Sequence, residues 1–156
     1  MTTFHWLDVA GGRFAIGHRP KIKLIPALKQ QGATHVLTLL AASEGAAAIG
    51  DAVERADMAW MWFPLASATP PGPEKVNEVR RLFDQLQTAV ASGGGIFVHC
   101  SAGIHRTGMI AYGWLRSTGL PQDAALAKLH VLRAVTGEGV GAERLAWGDQ
   151  FGDPRN

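Results

Sequence analysis

Cysteine is nearly absent: Cys100 is the one such residue in a chain of 156. A single thiol cannot close an internal disulfide, so nothing here calls for an oxidising compartment. One cysteine and six scattered histidines give no ligand-spaced cluster, and no metal is expected. Charge of one sign is also scarce. A formal net charge of +2 is too small to argue for nucleic acid by itself. No apolar run approaches the roughly 18 residues that span a bilayer. The opening "MTTFHWLDVAGGRF" has no basic start followed by an apolar stretch, so no leader is expected. These absences point to a soluble cytoplasmic protein with no membrane partner. No repeat, charged tail or linker appears, and residues 1–156 read as one domain.

What is present is a core. Apolar residues make up 47% of the chain, enough to offset the entropy of folding. Gly11-Gly12 separates "FHWLDV" from "RFAIG", a strand pair or hairpin. "IPALKQQGA" reads as a short helix, with Pro26 in its first turn and Gly32 at its stop. "THVLTLL" (34–40), "MAWMWFPL" (58–65) and "IFVH" (96–99) read as buried strands. The segment 45–56 is Ala-rich and helix-forming, weakened by Gly50. Residues 74–90 form the clearest amphipathic helix, with Val76, Val79, Leu82, Phe83, Leu86 and Val90 on one face. "TGMIAYGWLRS" and "PQDAALAKLHVLRAV" read as two further helices, the second opened by Pro121 and ending before Gly137. Strands alternating with helices predict an α/β fold: a central, mostly parallel sheet of about four to five strands flanked by helices.

Cys100 sits between a strand and a helix, in "HCSAGIHRTG" (99–108). A loop closing onto a helix N-terminus points successive N–H groups inward, a cradle for a tetrahedral oxyanion. Gly103 allows a turn that a Cβ would obstruct. Arg106 offers a planar fork to two phosphate oxygens. The same donors favour the thiolate of Cys100 as a nucleophile toward phosphorus. Thr107 can set a hydroxyl near that sulfur.

This stretch resembles the signature loop of cysteine-based protein tyrosine and dual-specificity phosphatases, His-Cys-x5-Arg-Ser/Thr-Gly, at His99, Cys100, Gly103, Arg106, Thr107 and Gly108. The chain's length resembles the compact dual-specificity-like or kinase-associated-phosphatase-like branch. The resemblance implies Cys100 as nucleophile, Arg106 as phosphate clamp, Thr107 as helper of the leaving thiolate, and His99 as an orienting group behind the cysteine. It implies a substrate cradle from the amides of Ser101, Ala102, Gly103, Ile104, His105 and Arg106. No metal or organic cofactor is implied.

One family residue is missing. The resemblance implies a general-acid Asp in the loop after "WMWFPL", and Ser67 stands there. No Asp lies between Asp57 and Asp84. A seryl hydroxyl is too weak an acid to protonate a leaving alkoxide. Glu74, at the far end of "ASATPPGP", is the candidate acid. Asp57 precedes its strand and belongs at the wrong sheet end. Glu44 serves either as an acid or as a hydrogen-bond partner of the cysteine loop or its arginine, and His105 as a donor from within the loop. Without an acid, leaving groups of low pKa are favoured. The expected activity is therefore a phosphomonoesterase acting on a phosphorylated protein, foremost on phosphotyrosine, through a phosphocysteine. The alternatives are an RNA 5′-triphosphatase or polyphosphate phosphatase, which would make nucleic acid a partner, and a poorly active phosphate-binding pseudophosphatase. The basic run "HRPKIK" (18–23) reads as a solvated turn or as an aid to anionic substrates. Trp60, Trp62, Phe63 and Trp114 read as core packing.

Overall fold

A computed structural model describes residues 4–152. The ends of the expected 1–156 domain therefore lie outside the described residues. The strands are β1 (Leu7–Val9), β2 (Gly12–Gly17), β3 (His35–Thr38), β4 (Ala59–Trp62) and β5 (Gly95–His99). They form one sheet in the order β1-β2-β5-β3-β4. Only β1 runs antiparallel, through the hairpin expected at Gly11-Gly12, and the other pairings are parallel.

Successive side chains of a strand point to opposite faces, and both faces of this sheet are buried. Phe14, Ile16, Leu37, Ile96 and Val98 join one core with α3 (Val76–Ala91), α4 (His105–Ser117) and α5 (Gln122–Leu132). Ala15, Val36 and Phe97 join a second core under α1 (Ile25–Gln31) and α2 (Ala46–Arg55). This alternation is why β2, β3 and β5 read as nearly continuous apolar runs.

Three expectations are corrected. The strand at 58–65 is an edge strand, and Trp62 is 42% exposed. Its indole stacks on Trp60 and donates to Leu40 O at 2.8 Å, so the ring covers the edge outside the core. The helix expected to run through Val135 breaks at Arg133, whose backbone is extended. The chain restarts as α6 (Ala134–Gly139), with Gly137 inside it because a Cβ there would meet the His130 ring at 2.6 Å. A further helix, α7 (Ala142–Asp149), packs on α4. Gly50, the weak point of α2, is needed where the Trp60 ring leaves no room for a Cβ.

β2 and β3 lead into α1 and α2 on one face, whereas β5 leads into α4 on the other. The carboxyl end of β5 is thus where the chain connections diverge, the place where open α/β sheets form crevices.

Candidate active site

β5 is buried throughout, and Cys100, the next residue, is 3% exposed. The chain then turns through Ser101–Ile104 into α4. Gly103 has φ +73, and a Cβ on it would stand 2.2 Å from Gly17 O, so only glycine fits.

The loop carbonyls are taken up by the scaffold. Ser101 O accepts from the Arg19 amide at 2.8 Å. Ala102 O and Gly103 O accept from Arg133 Nη1 at 3.0 and 3.1 Å, and Gly103 O accepts from the Thr136 hydroxyl at 2.6 Å. The amides of residues 101–107, by contrast, donate to no acceptor among the described residues. Unpaired N–H groups at the start of a 13-residue helix form an anion cradle.

Arg106 is held edge-on. Its Nη1 donates to Glu44 Oε1 at 2.7 Å and to Leu65 O at 2.9 Å, and its Nη2 donates to Glu44 Oε2 at 3.0 Å. A guanidinium has five N–H donors. Three are used, leaving Nε–H and one Nη2–H, the side-on pair that can grip two oxygens of one phosphate. The Arg106 hydrogen bond holds the Glu44 carboxyl down to about 2, helped by the Ala41 amide and opposed by burial. Glu44 in turn raises the pKa of Arg106, with Cys100 a smaller contributor. Of the roles open to Glu44, the structure shows the partner of the arginine. Arg19 Nη1 also donates to the Glu44 carbonyl.

His99 is fully buried, and desolvation lowers its pKa to about 4. The ring is therefore neutral, with one nitrogen donating and the other accepting. Nδ1 lies 3.0 Å from Cys100 O, which only accepts, so the proton is assigned to Nδ1. Nε2 then accepts from the Thr38 hydroxyl at 2.8 Å, and Thr38 Oγ1 accepts from Trp60 Nε1 at 2.8 Å. Thr38 and Trp60 were missed in the sequence. The signal available was a lone hydroxyl inside an apolar strand, paired in register with His99. Arg133 and Thr136 gave no signal, because their role depends on the break between α5 and α6.

Thr107 is fully buried, and its hydroxyl has no partner among the described residues. His105 is exposed and Ile104 half-buried. Asp57 lies before β4, at the sheet end opposite Cys100. The loop after β4 is fastened on both sides. Leu65 bonds to Leu39 O and to Arg106, Ala68 O accepts from Arg144 Nε at 2.7 Å, and Pro71 O accepts from Trp147 Nε1 at 3.1 Å. Ser67 is exposed two residues beyond Leu65, and its Oγ accepts from the Thr69 amide. Glu74 is exposed and folds back over Gly72, in a groove whose lining includes neither Cys100 nor Arg106. The structure therefore brings His99, Cys100, residues 101–107 and Glu44 together and leaves Glu74 aside.

Residues 16–120 match the family model described as the DSP-PTPase phosphatase of polymorphic toxin systems. The chain belongs to this family. Solved phosphatases share its fold. Tk-PTP in its active form is 19% identical with a TM-score of 0.76, over 95% of this chain and 96% of that one. Kinase-associated phosphatase with its catalytic-site cysteine replaced by serine is 16% identical with a TM-score of 0.79, over 96% and 94%. A protein tyrosine phosphatase (putative) from Leishmania major is 15% identical with a TM-score of 0.71, over 96% and 98%. No curated protein matches the sequence. The segment matched to the DSP-PTPase phosphatase family contains the cysteine loop and the loop of Ser67 but ends before Arg133 and Thr136. This DSP-PTPase phosphatase thus supports its signature loop partly from outside the matched segment.

Proposed function

We propose that the chain, acting as one domain, is a cysteine-dependent phosphomonoesterase of protein phosphotyrosine, working without metal or organic cofactor. Cys100 Sγ attacks phosphorus, forming an S–P bond as the P–O bond to the tyrosine breaks. Water then attacks the phosphocysteine, the S–P bond breaks, and phosphate leaves with the thiolate restored. The amides of Ser101 through Arg106 and the side-on edge of Arg106 hold the equatorial oxygens through both displacements. Thr107 supplies its unpartnered hydroxyl to the departing sulfur, and His99 orients the Cys100 peptide.

The observation that carries this reading is the row of unpaired amides between the buried Cys100 and Thr107. The leaving group follows from the loop of Ser67. Glu44 has no proton to give, because Arg106 keeps it ionised. With serine at the acid position, a phenolate leaves far more readily than a seryl alkoxide.

The test measures phosphate release from a phosphotyrosine peptide, a phosphoserine peptide and triphosphate-ended RNA, with Cys100→Ser as control. Release from phosphotyrosine that disappears in the control is expected. Release from the RNA alone would replace this reading with a triphosphatase, and binding without release would leave a phosphate-binding module. Ser67→Asp is expected to speed the poor leaving groups most. Glu74→Gln tests the remaining carboxylate: a loss confined to phosphoserine would make Glu74 the acid.

A further inference from the structure

The chain leaves β2 at Gly17 and enters α1 at Ile25, so the segment between them lies at the carboxyl end of the sheet. β2 and β5 are parallel with Gly17 opposite His99, and this is therefore also the end where Cys100 follows β5. The Arg19 amide ties the segment to the cysteine loop through Ser101 O at 2.8 Å. Residues 21–24 then read Lys-Ile-Lys-Leu, and all four are exposed. Ile22–Leu24 form a single 3₁₀ turn with no buried residue, and Ile22 and Leu24 stay 42% and 38% exposed. Lys21 and Lys23 are in no ion pair among the described residues. Glu44, the acid whose carbonyl Arg19 reaches, has both carboxylate oxygens on Arg106. The other exposed large apolar side chains among the described residues share this sheet end. Trp62 closes β4 in register with Thr38 and, through it, with His99. Val131 and Val135 flank Arg133, which bonds the carbonyls of the cysteine loop. Exposed apolar residues are ordinary when scattered singly, but here they gather at the end that carries Cys100.

We propose that the turn of Lys21, Ile22, Lys23 and Leu24 docks the chain on an anionic bilayer surface, with the carboxyl end of the sheet toward the lipid. Ile22 and Leu24 enter the headgroup boundary, and Lys21 and Lys23 meet lipid phosphates beside them. A bilayer offers phosphate and acyl carbon at every point of its surface, so alternating cations and aliphatics match it without a groove. No helix among the described residues is long and apolar enough to cross a membrane, and the contact is one of surface only. It would bring the cysteine loop to phosphate esters carried at that surface. The proposal goes beyond the phosphotyrosine reading and does not rest on it.

The test is co-sedimentation of the full chain with vesicles of phosphatidylcholine alone or with about one third phosphatidylserine. The anionic vesicles are expected to bind about tenfold more tightly at low salt, with the ratio falling as salt rises. The double variant Lys21→Gln, Lys23→Gln should bring the ratio near one. The double variant Ile22→Ser, Leu24→Ser should weaken binding to the anionic vesicles about tenfold. Both variants should keep the wild-type thermal unfolding and the wild-type phosphate release from soluble p-nitrophenyl phosphate, since all four residues lie outside the cradle. No binding of the wild type to either vesicle would overturn the proposal, as would a charge preference that survives loss of both lysines. Binding untouched by Ile22→Ser, Leu24→Ser and competed by soluble polyglutamate would put an acidic protein in place of the bilayer. Vesicle binding is read without turnover, so it stands or falls separately from the phosphotyrosine assignment.

Discussion

Both carboxylate oxygens of Glu44 are on Arg106, which makes Glu44 a positioning residue for the guanidinium proposed to clamp phosphate. Glu44→Gln keeps the shape but removes the charge and one acceptor. It is expected to lower kcat/KM for p-nitrophenyl phosphate by on the order of 10- to 100-fold, the effect of a displaced clamp; an unchanged rate would show that Leu65 O alone can hold the arginine. His99 makes a different prediction. Its pKa falls from 6.5 to about 4 on folding, so the unfolded chain takes up a proton that the folded chain refuses. Stability from this group is complete above pH 6.5 and is lost as pH falls toward 4. The loss is on the order of 3 kcal/mol at most. Urea unfolding from pH 7.5 to 4.5, compared with His99→Gln, measures it, and the wild type should show the steeper decline. Cys100, Arg106 and Gly103 were legible as a motif because their spacing is local. Thr38 was not, because its partner is 61 residues away.

At the scale of elements, the cysteine loop is a strand-to-helix turn whose carbonyls are fastened from the α5–α6 corner. Arg133 leaves helical geometry and bonds the loop, so a tertiary contact overrode a helical pattern that the sequence carries without a break. Thr136→Val removes one donor from the buried Gly103 carbonyl. A loss of about 1–3 kcal/mol in thermal or urea unfolding is expected. A roughly tenfold fall in kcat/KM should accompany it if the loop's amides need that anchor, and Thr136→Ser should restore both. The buried strands and the amphipathic α3 were legible from periodicity. β4 was misread because an apolar run does not tell an edge strand from a central one when tryptophan rings cover the edge. α7 left no mark because its short apolar face acts only against α4.

For the whole molecule, the sequence supported the class of fold and left the strand order open. Which strands become neighbours depends on pairings across many tens of residues, such as β2 with β5. The segment beyond the family match is part of the same core: Leu129, Leu132, Val140 and Phe151 are buried with α4. A chain ending at residue 120 is therefore expected to lose cooperative thermal unfolding and to release no phosphate. A sharp melt from that fragment would show the matched segment folding alone. The lone cysteine has its own consequence. An oxidant that reaches the Cys100 sulfur leaves a sulfenic acid, and the chain has no second thiol to trap it as a disulfide. Unless a backbone nitrogen captures it as a sulfenamide, rescue comes from an outside thiol before the sulfur advances to the sulfinic acid, a stage beyond ordinary reductants. The protein's redox memory is thus set by how fast its surroundings supply reducing equivalents.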